Sequence, residues 1–418
     1  MNTPTSPPFE TGPVIYNLFP LLAGPFEGWD RHLERARGMG FDWLFFNPVS
    51  YPGFSGSLYS VKDHYGFHPL LAPQGDVAAA KAFAEVLDRM RGMGLSPMMD
   101  LVINHTAVDS PLTAEHPDWY VRDDEGRIVN PGAMDDGQWV SWGDLATVDN
   151  AHSADRDALW DHWDRLIAHH QGLGVRGFRC DAAYQVPAEL WRHLIGRARE
   201  RDPEAVFFAE TLGCPIEDVI RLAEAGFTHT FNSVKWWDFV EPWCLEQYAA
   251  TAPLVRGTVG FPDSHDTPRL AAELNGDTAA VLARYAFCAL FSSGVMMTMG
   301  FEHGARVPLH VVRTRPEDWE EPEDLTGAVA EINAVKAAHA LFNREGPVTA
   351  VEAPSGAVTA LEKRDTEGHA AALLLVTRDP SRGRPPDPGP PWDAAEEITP
   401  KCLAEREAGL RVFLRPHA

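Results

Sequence analysis

In the stretch GFRCDAA, residues 177 to 183, Arg179 stands two residues before Asp181 at the end of an apolar run. Alternation along an extended chain turns both side chains the same way. A fixed guanidinium then lies beside a carboxylate and holds it ionised, the state a carboxylate nucleophile needs at neutral pH. Glu210 follows AVFFA, an apolar setting that raises a carboxyl pKa and keeps its proton available for a leaving oxygen. His265 with Asp266 ends the run GTVGFPDSHD, and DLVINH, residues 100 to 105, ends another. Two carboxylates flanking one bond are the minimum for glycoside cleavage, one attacking while the other serves as acid and then base. Taken singly, each feature has a plainer reading: a structural ion pair for Arg-x-Asp, a solvated strand end for Glu210, a packed ring for His265. Their shared position at strand ends is what groups them.

The elements that must position these residues follow a rhythm. An amphipathic stretch reaches a glycine stop, and a short apolar run follows: RHLERARGMG then FDWLFFNPV, FAEVLDRMRGMG then LSPMMDLVINH, WDRLIAHHQGLG then VRGFRCDAA. Glycine can take the left-handed conformation that ends a helix, and continuous apolar runs suit strands buried on both faces. The pattern predicts eight strands, PVIYNLF, FDWLFFN, LSPMMDLVIN, VRGFRCD, AVFFAE, FTHTFNS, GTVGFPDSHD and GVMMTMG, alternating with helices. That is an α/β chain with a TIM (β/α)8 barrel, whose C-terminal mouth would gather all the polar strand ends. Residues 1–105 and 151–345 are assigned to the barrel, and 106–150 to an insert subdomain after strand 3, over the mouth. VTALEKR, HAAALLLVTRD and GLRVFLRP place a small all-β domain in residues 346–418, and DPSRGRPPDPGPPWDAAEE reads as a mobile Pro-rich loop within it.

Bulk composition narrows the partners. With 36 Lys plus Arg against 60 Asp plus Glu, the formal charge of −24 disfavours nucleic acid and anionic membrane surfaces. Five cysteines without a CxxC pair predict free thiols, no zinc site and a reducing, cytoplasmic compartment. The start MNTPTSPPFETG has neither a basic region nor an apolar core, so it reads as a disordered leader. No run is long enough for a membrane span. No feature of the sequence sets an oligomeric state.

The sequence resembles the α-amylase family, glycoside hydrolase family 13, in four segments on strands three, four, five and seven: DLVINH, GFRCDAA, FFAE and FPDSHD. The resemblance covers about residues 12 to 345. It implies Asp181 as nucleophile, Glu210 as general acid/base and Asp266 as the carboxylate that grips sugar hydroxyls in the transition state. It also implies that His105, Arg179 and His265 bind the sugar ring. SLYSVKDHY is similar to a family element in which Tyr59 would be the stacking platform and Asp63 its supporting carboxylate.

Such a site would cleave α-glucosidic bonds in α-glucans or oligosaccharides with retention, through a covalent glycosyl-enzyme, with no cofactor for the chemistry. Departures are visible. Tyr184-Gln185 stands where many members have Lys-His, which implies different acceptor-side binding. A structural calcium would use Asn104, yet LATVD has Thr147 where the family's Asp would stand. AEHPDWYVRDDEGRI and FFAETLGCPIEDVIRLAEAGFTHTFN look similar to bacterial α-glucan maltosyltransferases, so transglycosylation is the alternative to hydrolysis. A catalytically inactive sugar-binding member is a third reading. Trp119, Tyr120, Trp139 and Trp142 in the insert are either sugar-stacking rings or the insert's own core.

Overall fold

The computed structural model describes residues 12–72, 75–135, 138–368, 370–379 and 382–416. The leader expected to be disordered lies outside them, up to Thr11. All eight expected strands form: β1 Val14–Leu18, β2 Trp43–Phe46, β3 Ser96–Leu101, β4 Gly177–Cys180, β5 Val206–Ala209, β6 His229–Phe231, β7 Gly257–Gly260 and β8 Gly294–Thr298. They pair in parallel in the order β1-β8-β7-β6-β5-β4-β3-β2 and close on themselves. The seam joins β1 to β8, Val14 opposite Val295 through Asn17 opposite Thr298.

Alternation along each strand separates two apolar layers. Ile15, Trp43, Phe45, Met98, Val206, Phe208, Val259 and Met296 fill the barrel interior. Their neighbours Tyr16, Leu44, Phe46, Met99, Phe178, Phe207 and Met297 pack outward with the helices. Within β4, Phe178 and Cys180 therefore face outward, which leaves Gly177 and Arg179 to the interior. A Cβ on Gly177 would come within 2.6 Å of the Trp43 ring, so this glycine makes room for a large interior side chain. The expected glycine stops are present: Gly40, Gly94 and Gly174 all have positive φ, and Gly174 caps the helix Arg156–Leu173.

The insert after β3 is held by short antiparallel pairs, His105–Ala107 with Leu145–Thr147 and Gly132–Asp135 with Gln138–Ser141. Its aromatics divide. Trp119 and Tyr120 are buried, whereas Trp139 and Trp142 are exposed.

The C-terminal sheet has five strands, β9 Val348–Val351, β10 Val358–Arg364, β11 Ala370–Thr377, β12 Glu396–Glu397 and β13 Leu410–Pro416, ordered β9-β10-β11-β13-β12. The Pro-rich stretch is pinned to it by Trp392, buried with Leu373, Leu375 and Phe413. A polar joint fixes this sheet region to the barrel floor. Glu345 accepts hydrogen bonds from the Tyr248 hydroxyl, from the Thr258 amide and hydroxyl, and from the Ser293 hydroxyl at 2.7 Å. Beside it, Lys363 Nζ donates to the Phe291 carbonyl at 2.6 Å.

Candidate active site

Strand register assembles the polar cluster. Arg179 in β4 lies opposite Asp100 in β3, and Cys180 lies opposite Ala209 in β5. The ladders run one step beyond the strands: Asp181 N donates to Leu101 O at 3.1 Å and Glu210 N to Cys180 O at 3.1 Å. Asp181 and Glu210 thus leave adjacent strands at the same height.

Arg179 is the central cation. Its Nη1 donates to Asp181 Oδ1 at 2.7 Å and to both oxygens of Asp100 at 2.9 and 3.0 Å. Burial pushes the Asp100 carboxyl up, against the opposing pull of Arg179. Glu210 is buried: its Oε2 accepts from Ala182 N at 2.9 Å and its Oε1 from Leu212 N at 2.6 Å. Burial pushes its pKa up to about 7, with Arg179 pulling down and the Asp181 charge pushing further up.

Tyr59 ties the second half together. Its hydroxyl lies 2.7 Å from Asp100 Oδ2, 2.7 Å from His265 Nε2 and 2.9 Å from Asn47 Nδ2. A phenol has one proton; given to Asp100, it leaves His265 Nε2 and Asn47 as donors to Tyr59. The Tyr59 and His265 rings are nearly parallel, 5° apart with centroids at 5.4 Å. His265 Nε2 also lies 3.0 Å from Asp266 Oδ2, and the Asp266 side chain is about half exposed. His105 Nε2 lies 3.0 Å from the Tyr59 carbonyl. The Nδ1 atoms of His105 and His265 are buried without a protein partner, and burial lowers both imidazole pKa values.

Seven of the nine expected site residues therefore meet around Asp100: Asp181, Glu210, Asp266, Tyr59, His105, Arg179 and His265. Two do not. Asp63, expected to support Tyr59, is exposed and turned into its own hairpin, where its Oδ1 accepts from Tyr65 N at 2.9 Å. The carboxylate that reaches the Tyr59 hydroxyl is Asp100, because β3 delivers it from inside the barrel while residue 63 lies on a strand outside it.

Asn104 faces Gln185, donating to Oε1 at 3.3 Å, and its own Oδ1 has no partner. Among the described residues, no three His, Cys, Asp or Glu side chains gather where they could hold a metal ion. A neutral amide oxygen beside a neutral amide does not fit calcium, which takes six to eight oxygens including carboxylates.

Asn47 and Asn17 are site residues that the sequence reading did not pick out. Asn17 Nδ2 donates to Asn47 Oδ1 at 3.0 Å, and so links β1 to Tyr59. Their signal was present, since each is a polar residue at the C-terminal end of an apolar strand. Beside the cluster, a cleft of about 610 Å³ opens between the insert and the loops after β4 and β5, lined by Tyr184, Gln185, Thr147 and Arg221 among others.

A closed parallel eight-stranded barrel with an insert after β3 and a C-terminal antiparallel sheet defines a TIM-barrel protein, with carboxylates at the ends of β4, β5 and β7. The chain is similar, over residues 14–123, to the glucanotransferase domain of glycogen debranching enzyme. It is 29% identical over 394 residues to the α-1,4-glucan:maltose-1-phosphate maltosyltransferase of Burkholderia pseudomallei, which covers 90% of this chain and 34% of that protein. The Mycobacterium tuberculosis enzyme of the same name is 23% identical over 410 residues, with 87% of this chain and 56% of that protein covered. The chain thus spans about a third to just over half of the curated relatives it matches. In structure it is similar to an α-amylase from Lactobacillus plantarum, with TM-score 0.77, 21% identity and 98% and 100% of the two chains covered. A cyclic α-maltosyl-(1→6)-maltose hydrolase from Arthrobacter globiformis gives 0.71 at 17% identity, with 99% and 100% covered. At these identities the structural likeness concerns the fold. Together with the sequence relatives, it bears out the resemblance to the α-amylase family and to maltosyltransferases.

Proposed function

We propose that this protein cleaves α-glucosidic bonds in a neutral α-glucan or oligosaccharide with retention of configuration, and that water is the ordinary second substrate. The observation that carries this reading is the Asp181–Glu210 pair, delivered by adjacent strands into contrasting surroundings. Asp181 is ion-paired with Arg179 at 2.7 Å, whereas Glu210 is buried with its pKa near 7.

In the first half-reaction Glu210 gives its proton to the glycosidic oxygen as the C1–O bond breaks, and an Asp181 oxygen bonds C1. In the second, Glu210 takes a proton from water; the water oxygen bonds C1 and Asp181 leaves. The resemblance gives His105 and His265 as partners of the sugar ring, and Asp266 stabilises positive charge at the ring as the oxocarbenium-like state forms. Arg179 fixes Asp181 and Asp100 in place.

Transfer is the second reading, favoured by the names of the sequence relatives and by the cleft beside Tyr184 and Gln185, where a sugar hydroxyl would replace water. A neutral leaving group fits the cluster better than a phosphate, because Arg179 Nη1 is already committed to two carboxylates. Five unpaired cysteines support a reducing compartment, the cytoplasm. Among the described residues, no helix is long and apolar enough to cross a membrane.

The test is incubation with maltooligosaccharides, alone and with maltose 1-phosphate, following product length and anomeric configuration over time. Shorter sugars released first as α-anomers support retaining hydrolysis. Longer products would establish transfer, and β-anomers would overturn the mechanism.

A further inference from the structure

The strand carrying Asp63 belongs to a hairpin, Ser50–Pro52 with Val61–Phe67, that lies outside the barrel. Together with the short helix Leu112–Glu115 and the helix Arg156–Leu173, it borders a groove of about 430 Å³. None of the groove's lining residues belongs to the cluster around Asp181. We propose that this groove is a second α-glucan site, which holds one part of a polymer while another part occupies the mouth; the choice of α-glucan rests on the proposed function.

Four observations support a neutral sugar as the occupant. Tyr51 and Tyr65 line the groove with large exposed rings, 40% and 44% accessible, surfaces on which apolar sugar faces stack. Both are held in place. The Tyr65 ring meets the edge of His169 at 5.1 Å, and Gly66 lets Tyr51 and Asp63 close in, since a Cβ there would lie 3.1 Å from Tyr51 Cβ and 3.0 Å from Asp63 Oδ2.

Hydrogen-bonding groups accompany the rings. Asp63 and Glu115 line the groove with exposed carboxylates that can accept from sugar hydroxyls. The cation lining the groove, Lys62, is committed to Asp109 at 2.8 Å, which disfavours an anion. The volume falls within the roughly 300–1,000 Å³ of small-molecule sites.

The experiment is native electrophoresis of the full chain through gels with and without glycogen, comparing wild type with Tyr51→Ser/Tyr65→Ser. Glycogen should retard the wild type, and the double variant should bind glycogen about tenfold more weakly, the loss of two stacking contacts. Its kcat/KM on maltotriose and its melting temperature should match the wild type, while its KM on glycogen rises. Equal retardation of both proteins, or none for the wild type, overturns the groove even if maltotriose is cleaved. Zinc raising the melting temperature of the wild type but not of His162→Gln would overturn it in favour of a cation. A wild type that cleaves no α-glucoside would sink the proposed function, yet its retardation, and the loss of it in the double variant, would still read the groove.

Discussion

Glu210 has two tasks that need opposite protonation states, and its surroundings decide where the change falls. With its pKa at about 7, the acid form needed for the first half-reaction is lost as pH rises through neutrality. We expect kcat/KM on unactivated maltooligosaccharides to fall above about pH 7, and Glu210→Gln to lose that limb along with most activity. Linkage gives an independent readout. A carboxyl whose folded pKa is raised contributes stability that is full below its unfolded value, near 4.5, and is lost as pH rises through about 7. Glu210→Gln should therefore melt above the wild type at pH 8, by on the order of 3 kcal/mol, with the gap closing toward pH 4.5. Asp181→Asn keeps the shape but removes the attacking oxygen's charge. Activity should drop roughly 10⁴-fold with an unchanged melt, and near wild-type rates would remove Asp181 from the mechanism.

The placement of these residues was legible because each sits one step past an apolar run, where strand alternation fixes direction. Which carboxylate would reach the Tyr59 hydroxyl was not. Asp63 is four residues from Tyr59 in sequence, while Asp100 is 41 away and arrives only through the packing of β2 beside β3. The resemblance of SLYSVKDHY to a family element pointed to Asp63, which the hairpin carries away from the Tyr59 hydroxyl.

At the scale of elements, the mouth depends on how tightly β4 and its exit are packed. Ala182, directly after Asp181, adopts a left-handed backbone with φ 40°, and in that shape its amide reaches Glu210. At the other end of β4, Gly177→Ala should push against Trp43 and Met98 inside the barrel and cost about 1–3 kcal/mol, measured as a lower denaturation midpoint. An unchanged midpoint would mean that Trp43 moves aside freely.

The eight strands were readable because parallel strands buried on both faces produce unbroken apolar runs that glycine stops delimit. The hairpin Ser50–Pro52/Val61–Phe67 was not. It is polar, short and irregular in register, with shifts on either side of Tyr51, so it leaves no periodicity to detect. The insert's aromatics were ambiguous for a related reason: composition cannot separate Trp119, which packs, from Trp139, which does not.

At the scale of the molecule, Glu345 binds the start of the C-terminal region to the floor of the barrel, the face opposite the chemistry. Replacing it with Ala leaves the Ser293 hydroxyl and the Thr258 amide without their acceptor, and should cost about 2–4 kcal/mol of stability with KM unchanged. A shift in KM instead would mean that floor and mouth are coupled. Because the donors around Asn104 do not fit a hard dication, EDTA should leave the melting temperature where it is, and a clear drop would reveal a structural ion held elsewhere. A small β domain was evident from composition, but its joint to the barrel was not. Glu345 finds its partners in β7, in Ser293 just before β8 and in the helix Trp243–Thr251, long before it in sequence.

The seam of the barrel bears on how the chain comes into being. Because β1 pairs with β2 on one side and with β8 on the other, the first barrel strand to be synthesised has only one barrel neighbour until the eighth has followed. While the barrel segment is being made, the growing sheet has an open edge on each side, one of them β1. Contacts this distant in sequence slow folding and lengthen the time for which such edges are exposed. The protein should accordingly refold slowly from denaturant and lose yield as its concentration rises, whereas a circular permutant that begins at β8 and runs directly into β1 would form its seam as a local pairing.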